Sequence, residues 1–155
     1  MRWAVLGGLL LLACGCGRQS APPASAGFTE GGVEVSISVS ESEVTAVFRP
    51  ERAGFHVYSV DLPAGGVDGL GIPTRLGVRG GLAAAGRASA DESVRMLDLP
   101  SLGVKLPVYP DGPVAVSLPV KRTGNSAEVV VSYGACSAGT CLPPVIDHVT
   151  RVTLD

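Results

Sequence analysis

The sequence has little of what several common functions require. Its 155 residues carry a formal net charge of −2 without a clustered basic stretch, which argues against a nucleic-acid partner. No Gly-rich stretch follows the strand-to-helix pattern of a phosphate loop, and there is no Cys-x-x-Cys motif. No long window has a helical apolar stripe, and no second hydrophobic span follows the N-terminal one. We therefore expect a β-rich domain without a cofactor.

The N-terminus resembles the signal sequence of a bacterial lipoprotein. After Met1-Arg2, the apolar run from Trp3 to Ala13 is too short to span a bilayer, which takes about 20 residues. The run ends in Leu11-Leu12-Ala13-Cys14, which is similar to a lipobox, where the cysteine sulfur becomes lipidated. We expect cleavage after residue 13 and lipid on Cys14. Two alternatives stay open: lipid on Cys16, or a plain cleaved signal peptide.

Each of these alternatives predicts a compartment outside the cytoplasm. Disulfides form and persist there, and the lipid would anchor the protein to a membrane of the bacterial cell envelope, facing the periplasm. Residues 14–27 are rich in small residues and proline and predict a flexible linker. Residues 28–155 are long enough for one domain with its own core.

The pattern of that domain is typical of strands. From Val33 to Val39, apolar and polar residues alternate, as in a half-buried strand. Further strands are expected at Val44–Phe48, Phe55–Val60, Val114–Val120, Glu128–Tyr133 and Val145–Leu154, with a hairpin turn at Lys121–Ser126. The stretch Gly80–Glu92 fits either a loop or a short helical turn. The whole predicts an all-β, antiparallel immunoglobulin-like sandwich with less than about 10% helix.

Chemistry and sequence converge at Cys136-Ser-Ala-Gly-Thr-Cys141-Leu-Pro-Pro. Small residues leave this loop open, and a disulfide closing so short a loop stabilises a fold by only roughly 2 kcal/mol. A weakly stabilising, accessible disulfide is suited to being opened and closed, so the pair first predicts a redox site.

Other interpretations of the pair stay open. The disulfide could be a structural clip in a non-redox immunoglobulin-like lipoprotein that binds a partner. Cys136, Cys141, His56 and His148 are also the residue types that bind zinc, but neither histidine has finger-like spacing and we expect no metal. His148 and His56 fit ordinary packed sheet positions.

Three segments resemble the N-terminal periplasmic domain of the thiol:disulfide interchange protein DsbD. The most specific is Tyr133-Gly-Ala-Cys136-Ser-Ala-Gly-Thr-Cys141-Leu-Pro-Pro144. Weaker likenesses are Gly54-Phe-His-Val-Tyr58, with Gly71-Ile-Pro-Thr74 downstream, and Val108 to Pro119. The resemblance runs from about Val33 to Leu154.

The resemblance implies a thiol:disulfide oxidoreductase. A thioredoxin-like protein or a membrane thiol reductase would reduce the disulfide in trans, and the domain would then reduce periplasmic disulfide proteins. Cys141 would exchange with partners, Cys136 would resolve the mixed disulfide, and Tyr58 and Tyr133 would support them. Where that family often has a second tyrosine, this chain has His56.

That family also covers its disulfide with a cap loop carrying an aromatic residue. By position, the cap of this chain would lie within Asp98–Leu106, which has no aromatic residue. Leu99, Leu102 or Leu106 are the candidates to cover the sulfurs instead.

Overall fold

The computed structural model describes residues 23–155. The predicted signal peptide, Cys14 and Cys16 lie outside them. The described residues form eleven strands and no helix: β1 Ala24–Glu30, β2 Val33–Val39, β3 Glu43–Pro50, β4 His56–Val57, β5 Arg75–Ala84, β6 Ser89–Ala90, β7 Arg95–Leu99, β8 Val104–Val108, β9 Val114–Tyr133, β10 Ala135–Cys136 and β11 Val145–Thr153. Hence this part of the chain has no helix long and apolar enough to cross a membrane.

All the strand pairs are antiparallel. β1, β2 and β3 pair in sequence, and β3 then pairs with the first part of β9. The second part of β9 pairs with β5 on one side and β11 on the other. Two short ladders, β4 with β10 and β7 with β8, complete the fold. The predicted all-β, antiparallel immunoglobulin-like sandwich is confirmed.

The main core lies between these strands and is formed by the apolar residues that alternate with polar ones along each strand. In β2, Val33, Val35, Ile37 and Val39 are buried while Glu34 and Ser36 lie on the other face. The side chains of Phe48 and Tyr133, both fully buried, meet at the centre with ring centroids 5.1 Å apart. Burial of these apolar side chains is the main driving force for the fold.

The predicted turn at Lys121–Ser126 is wrong, because β9 continues through it without a break. Lys121 and Arg122 pair with residues of β5, so their backbone groups are bonded in a ladder. Gly81 of β5 lies against Gly124, where a Cβ on Gly81 would stand 2.9 Å from the Gly124 carbonyl carbon. Contact with a strand some 40 residues earlier, rather than local turn preference, decides this segment.

Three other boundaries differ from the sequence predictions. β1 begins at Ala24, before the predicted domain start at residue 28, because it pairs along its whole length with β2. The predicted strand Phe55–Val60 is regular only at His56–Val57. The stretch Gly80–Glu92 contains the end of β5 and the short β6, which pairs with β9, so it holds no helical turn.

Candidate functional site

A disulfide joins Cys136 and Cys141 at one end of the sandwich. Cys136 ends β10, and the loop after it closes on itself: the Ser137 N–H donates to the Thr140 carbonyl at 2.8 Å, and the Leu142 N–H donates to the Ala135 carbonyl at 2.9 Å. The hydroxyl oxygen of Ser137 also accepts from the Thr140 N–H at 3.2 Å. The loop therefore has a hydrogen-bonded framework of its own, separate from the sulfur–sulfur bond.

The two cysteines have very different surroundings. Cys136 is 0% exposed and is packed inside the domain. Cys141 is an exposed residue, as are Ala138, Gly139 and Thr140 before it. The exposed side of the disulfide is therefore that of Cys141, the side from which a second molecule would approach.

The hydroxyl of Tyr58 reaches the buried sulfur. Its oxygen lies 2.7 Å from the Sγ atom of Cys136, and since a disulfide sulfur carries no proton, the phenol is the donor. Burial raises the pKa of Tyr58 above its ordinary value of 10.0, so the phenol keeps its proton at neutral pH. The buried sulfur thus has a permanently protonated donor beside it.

Tyr58 is confined by the segment Gly71–Thr74 and by Gly134, the residue just before β10. The Tyr58 N–H donates to the Gly134 carbonyl at 3.1 Å, and the Thr74 hydroxyl donates to the Tyr58 carbonyl at 2.6 Å. A Cβ on Gly134 would lie 2.8 Å from Cε2 of the ring, and one on Gly71 would lie 3.4 Å from Cε1 and Cζ. Two glycines therefore make the slot that holds this ring.

The hairpin of β7 and β8 packs over the buried half of the site. A second apolar cluster, here called the disulfide cluster, consists of Tyr58, Leu62, Leu97, Leu99, Val104, Leu106, Val108 and Cys136. Two of the candidate cap residues, Leu99 and Leu106, belong to it, while Leu102 at the hairpin tip is 53% exposed. Leu102 therefore does not cover the sulfurs.

His56 faces the same side of the sheet as the buried cysteine, because the two residues are direct partners in the β4–β10 ladder. Its Nδ1–H donates to the Tyr109 carbonyl at 3.0 Å. Among the described residues its imidazole has no hydrogen bond to either sulfur, so His56 is a packing neighbour of the site.

Two residues suggested by the sequence lie elsewhere. The hydroxyl of Tyr133 donates to the Glu30 carbonyl on β1 at 3.0 Å, and its ring belongs to the main core. His148 stacks on Phe28 and donates from Nδ1 to the Glu30 carboxylate at 2.6 Å. Neither side chain is a hydrogen-bonding partner of the sulfurs.

The zinc hypothesis has no support in the part of the chain that the structure describes. Both sulfurs are used in the disulfide, and residues 23–155 contain no group of three or more potential ligands.

These features define a class: an immunoglobulin-like β-sandwich with a disulfide at one end that joins one buried and one exposed cysteine. No protein-family model and no curated protein matches the chain. Among solved structures, it is similar to the crystal structure of the N-terminal domain of DsbD from Neisseria meningitidis in the reduced form. The TM-score is 0.55 and the identity 20%, over 79% of this chain and 85% of that one. The chain thus has a DsbD N-terminal-like fold, and the predicted resemblance is confirmed at the level of the fold.

Proposed function

We propose that this domain exchanges thiols and disulfides with other proteins through Cys136 and Cys141, relaying reducing equivalents outside the cytoplasm. The observation that carries the proposal is the asymmetry of the pair: Cys141 is exposed, and Cys136 is buried beside the Tyr58 hydroxyl. A disulfide that only clips a loop together needs neither an accessible sulfur nor a buried donor. The similar domain from Neisseria has a reduced form, which is consistent with the same chemistry.

The geometry supports a different role for each sulfur. A thiolate of the electron donor attacks Sγ of Cys141, the exposed cysteine, and a donor–Cys141 disulfide forms as the Cys136–Cys141 bond breaks. The electron pair of the broken bond goes to Cys136, where the hydrogen bond from Tyr58 stabilises the leaving thiolate. The second thiolate of the donor then attacks the donor's own first sulfur and releases Cys141 reduced.

The reduced domain would pass its two electrons on by the reverse sequence. The thiolate of Cys141 attacks the disulfide of a substrate protein and forms a mixed disulfide. Cys136 then attacks Cys141, which restores the internal disulfide and releases the substrate with both sulfurs reduced, each taking a proton from solvent. Cys136 is buried and its sulfur lies at hydrogen-bonding distance from the Tyr58 hydroxyl, so the resolving sulfur has a fixed position.

The partners follow from this cycle. The donor is a dithiol protein of the thioredoxin type or a membrane thiol reductase acting in trans, and the acceptors are periplasmic proteins with disulfides. We further propose that lipid on Cys14, with Cys16 as the alternative, anchors the domain to a membrane of the cell envelope. The lipobox-like Leu11-Leu12-Ala13-Cys14 supports this part of the proposal.

Trapping of mixed disulfides tests the proposal. In Cys136→Ala the exchanging sulfur remains but the mixed disulfide cannot be resolved, so incubation with an oxidised, disulfide-containing substrate should accumulate a covalent complex through Cys141. The matched variant Cys141→Ala keeps a thiol that is fully buried and should give little or no complex. Non-reducing electrophoresis and mass spectrometry identify the products.

The competing hypothesis is the structural clip in a non-redox lipoprotein. If neither variant is trapped, and reduced thioredoxin leaves the wild-type disulfide intact, the clip hypothesis is correct. Trapping through Cys136 instead of Cys141 would keep the exchange function but reverse the two roles.

A further inference from the structure

Gly134 stands where the chain passes from β9 to β10, two residues before Cys136, and the edge of the Tyr58 ring lies directly against it. A Cβ at this position would lie 2.8 Å from Cε2 and 3.1 Å from Cδ2 of that ring. Ordinary carbon–carbon contacts are about 3.5–4.0 Å, so a methyl group here must displace the ring. Contact with Tyr58, and nothing in the backbone, keeps this position small: the φ angle of Gly134 is not among the positive ones.

The ring has little room in which to move. The opposite edge of the ring faces Gly71. The backbone N–H and carbonyl of Tyr58 are hydrogen-bonded to Gly134 and Thr74. Because the hydroxyl is at hydrogen-bonding distance from Sγ of Cys136, a shift of the ring away from Gly134 changes the geometry of that bond. The hydrogen bond of 2.7 Å between the hydroxyl and Sγ depends on this contact.

We propose that Gly134 is a positioning residue of the thiol site: the absence of a side chain there sets the place of the Tyr58 hydroxyl and, through it, the stability of the Cys136 thiolate. The proposal rests on the exchange function proposed above, in which Cys136 is the leaving and resolving sulfur. It adds a residue that touches neither partner nor substrate. A chain with alanine here would keep both cysteines and the tyrosine and still be a poorer exchanger.

The direct test is the titration of Cys136 by NMR, from the chemical shift of its isotope-labelled Cβ against pH. The full chain is used with Cys14, Cys16 and Cys141 replaced by serine, so that Cys136 is its one thiol. A hydrogen bond to a charged group is strong enough that its loss should change the dissociation constant of the thiol about tenfold, which is about one pH unit. Both Tyr58→Phe and Gly134→Ala should raise the midpoint by about this amount.

The double variant decides whether Gly134 acts through the hydroxyl. In a chain that already carries Tyr58→Phe there is no hydroxyl to displace, so adding Gly134→Ala should leave the midpoint unchanged. A further shift in that background, or no shift from Gly134→Ala alone, would overturn the proposal. Gly139→Ala is the matched control: a Cβ there meets nothing within 4 Å, and its φ is not positive either, so the midpoint should stay at the parent value.

The redox equilibrium with glutathione is a second readout, and it requires no protein partner. In the chain with both site cysteines, Gly134→Ala should make the disulfide harder to reduce, by up to about tenfold in the equilibrium with glutathione, or about 30 mV. Near-ultraviolet circular dichroism checks that the Gly134→Ala variant is folded like the wild type. If this variant unfolds, the titration of Tyr58→Phe still tests the hydrogen bond. An unshifted midpoint in Tyr58→Phe refutes the proposal. Failure of Cys136→Ala to trap a partner, together with a wild-type disulfide that resists reduced thioredoxin, would refute the exchange function and leave these titrations unaffected.

Discussion

Reduction of the Cys136–Cys141 disulfide should cost the domain only a small part of its stability. The two cysteines are five positions apart, so the bridge closes a loop of about six residues. With the loop-entropy relation this corresponds to roughly 2 kcal/mol in the free energy of unfolding. The hydrogen bonds of Ser137 with Thr140 and of Leu142 with Ala135 do not involve the sulfurs, and they should hold the reduced loop in place.

Urea unfolding with and without dithiothreitol measures this difference, and a thermal scan should show a fall of about 8 °C in Tm for a domain of this size. The variant with both Cys136→Ala and Cys141→Ala is the control, since its unfolding should not respond to the reductant. A loss above about 4 kcal/mol, or loss of the folded state on reduction, would contradict the loop argument and favour the structural clip. A relay has to stay folded in both states, so a small difference is also what the proposed function requires.

Three further predictions concern Tyr133, the two buried phenols and Cys14. Tyr133→Phe should lower the free energy of unfolding by about 1 kcal/mol, because the hydrogen bond to the Glu30 carbonyl is lost. The rate at which thioredoxin reduces the disulfide should stay unchanged. A slower rate would show that Tyr133 takes part in the exchange reaction. Burial raises the pKa of Tyr58, and burial together with the Glu30 charge raises that of Tyr133. The folded state therefore disfavours both phenolates, and stability should fall as pH rises above about 10; phenol absorbance showing both groups ionised near that pH in folded protein would be evidence against this. Finally, radiolabelled fatty acid should label the wild type and not Cys14→Ser, whereas label retained in Cys14→Ser would move the anchor to Cys16.

The sequence predicts strands well where one face is buried by neighbours close in the chain. β2 coincides with the predicted Val33–Val39 because each of its apolar residues enters the main core. The predicted turn at Lys121–Ser126 fails because its Gly-Asn pair is typical of a hairpin, while the pairing with β5 that overrides it involves distant residues. Local signals of turn formation carry no information about such a partner.

The same distinction between local and distant contacts explains which parts of the site could be predicted from the sequence. The cysteine pair is visible in the sequence because its members are neighbours along the chain. The contact between Tyr58 and Cys136 joins residues 78 positions apart, and only the family resemblance indicated it. Tyr133 is close to Cys136 in sequence, yet its hydroxyl donates to Glu30, away from the sulfurs. The role proposed for Gly134 depends on the ring of Tyr58, so no local pattern could have indicated it.

The direction of β1 determines where the chain enters the domain relative to the disulfide. Its last residues run into Gly31 and Gly32, which lie against Pro143, Val145 and Leu142 just beyond the disulfide loop. Ala24, at its start, is six strand steps away, or roughly 20 Å. The chain therefore enters the domain at the end remote from the sulfurs. With lipid on Cys14, the nine residues to Pro23 add at most roughly 30 Å of reach. In that case Cys141 would lie at most about 50 Å from the lipid-bearing residue.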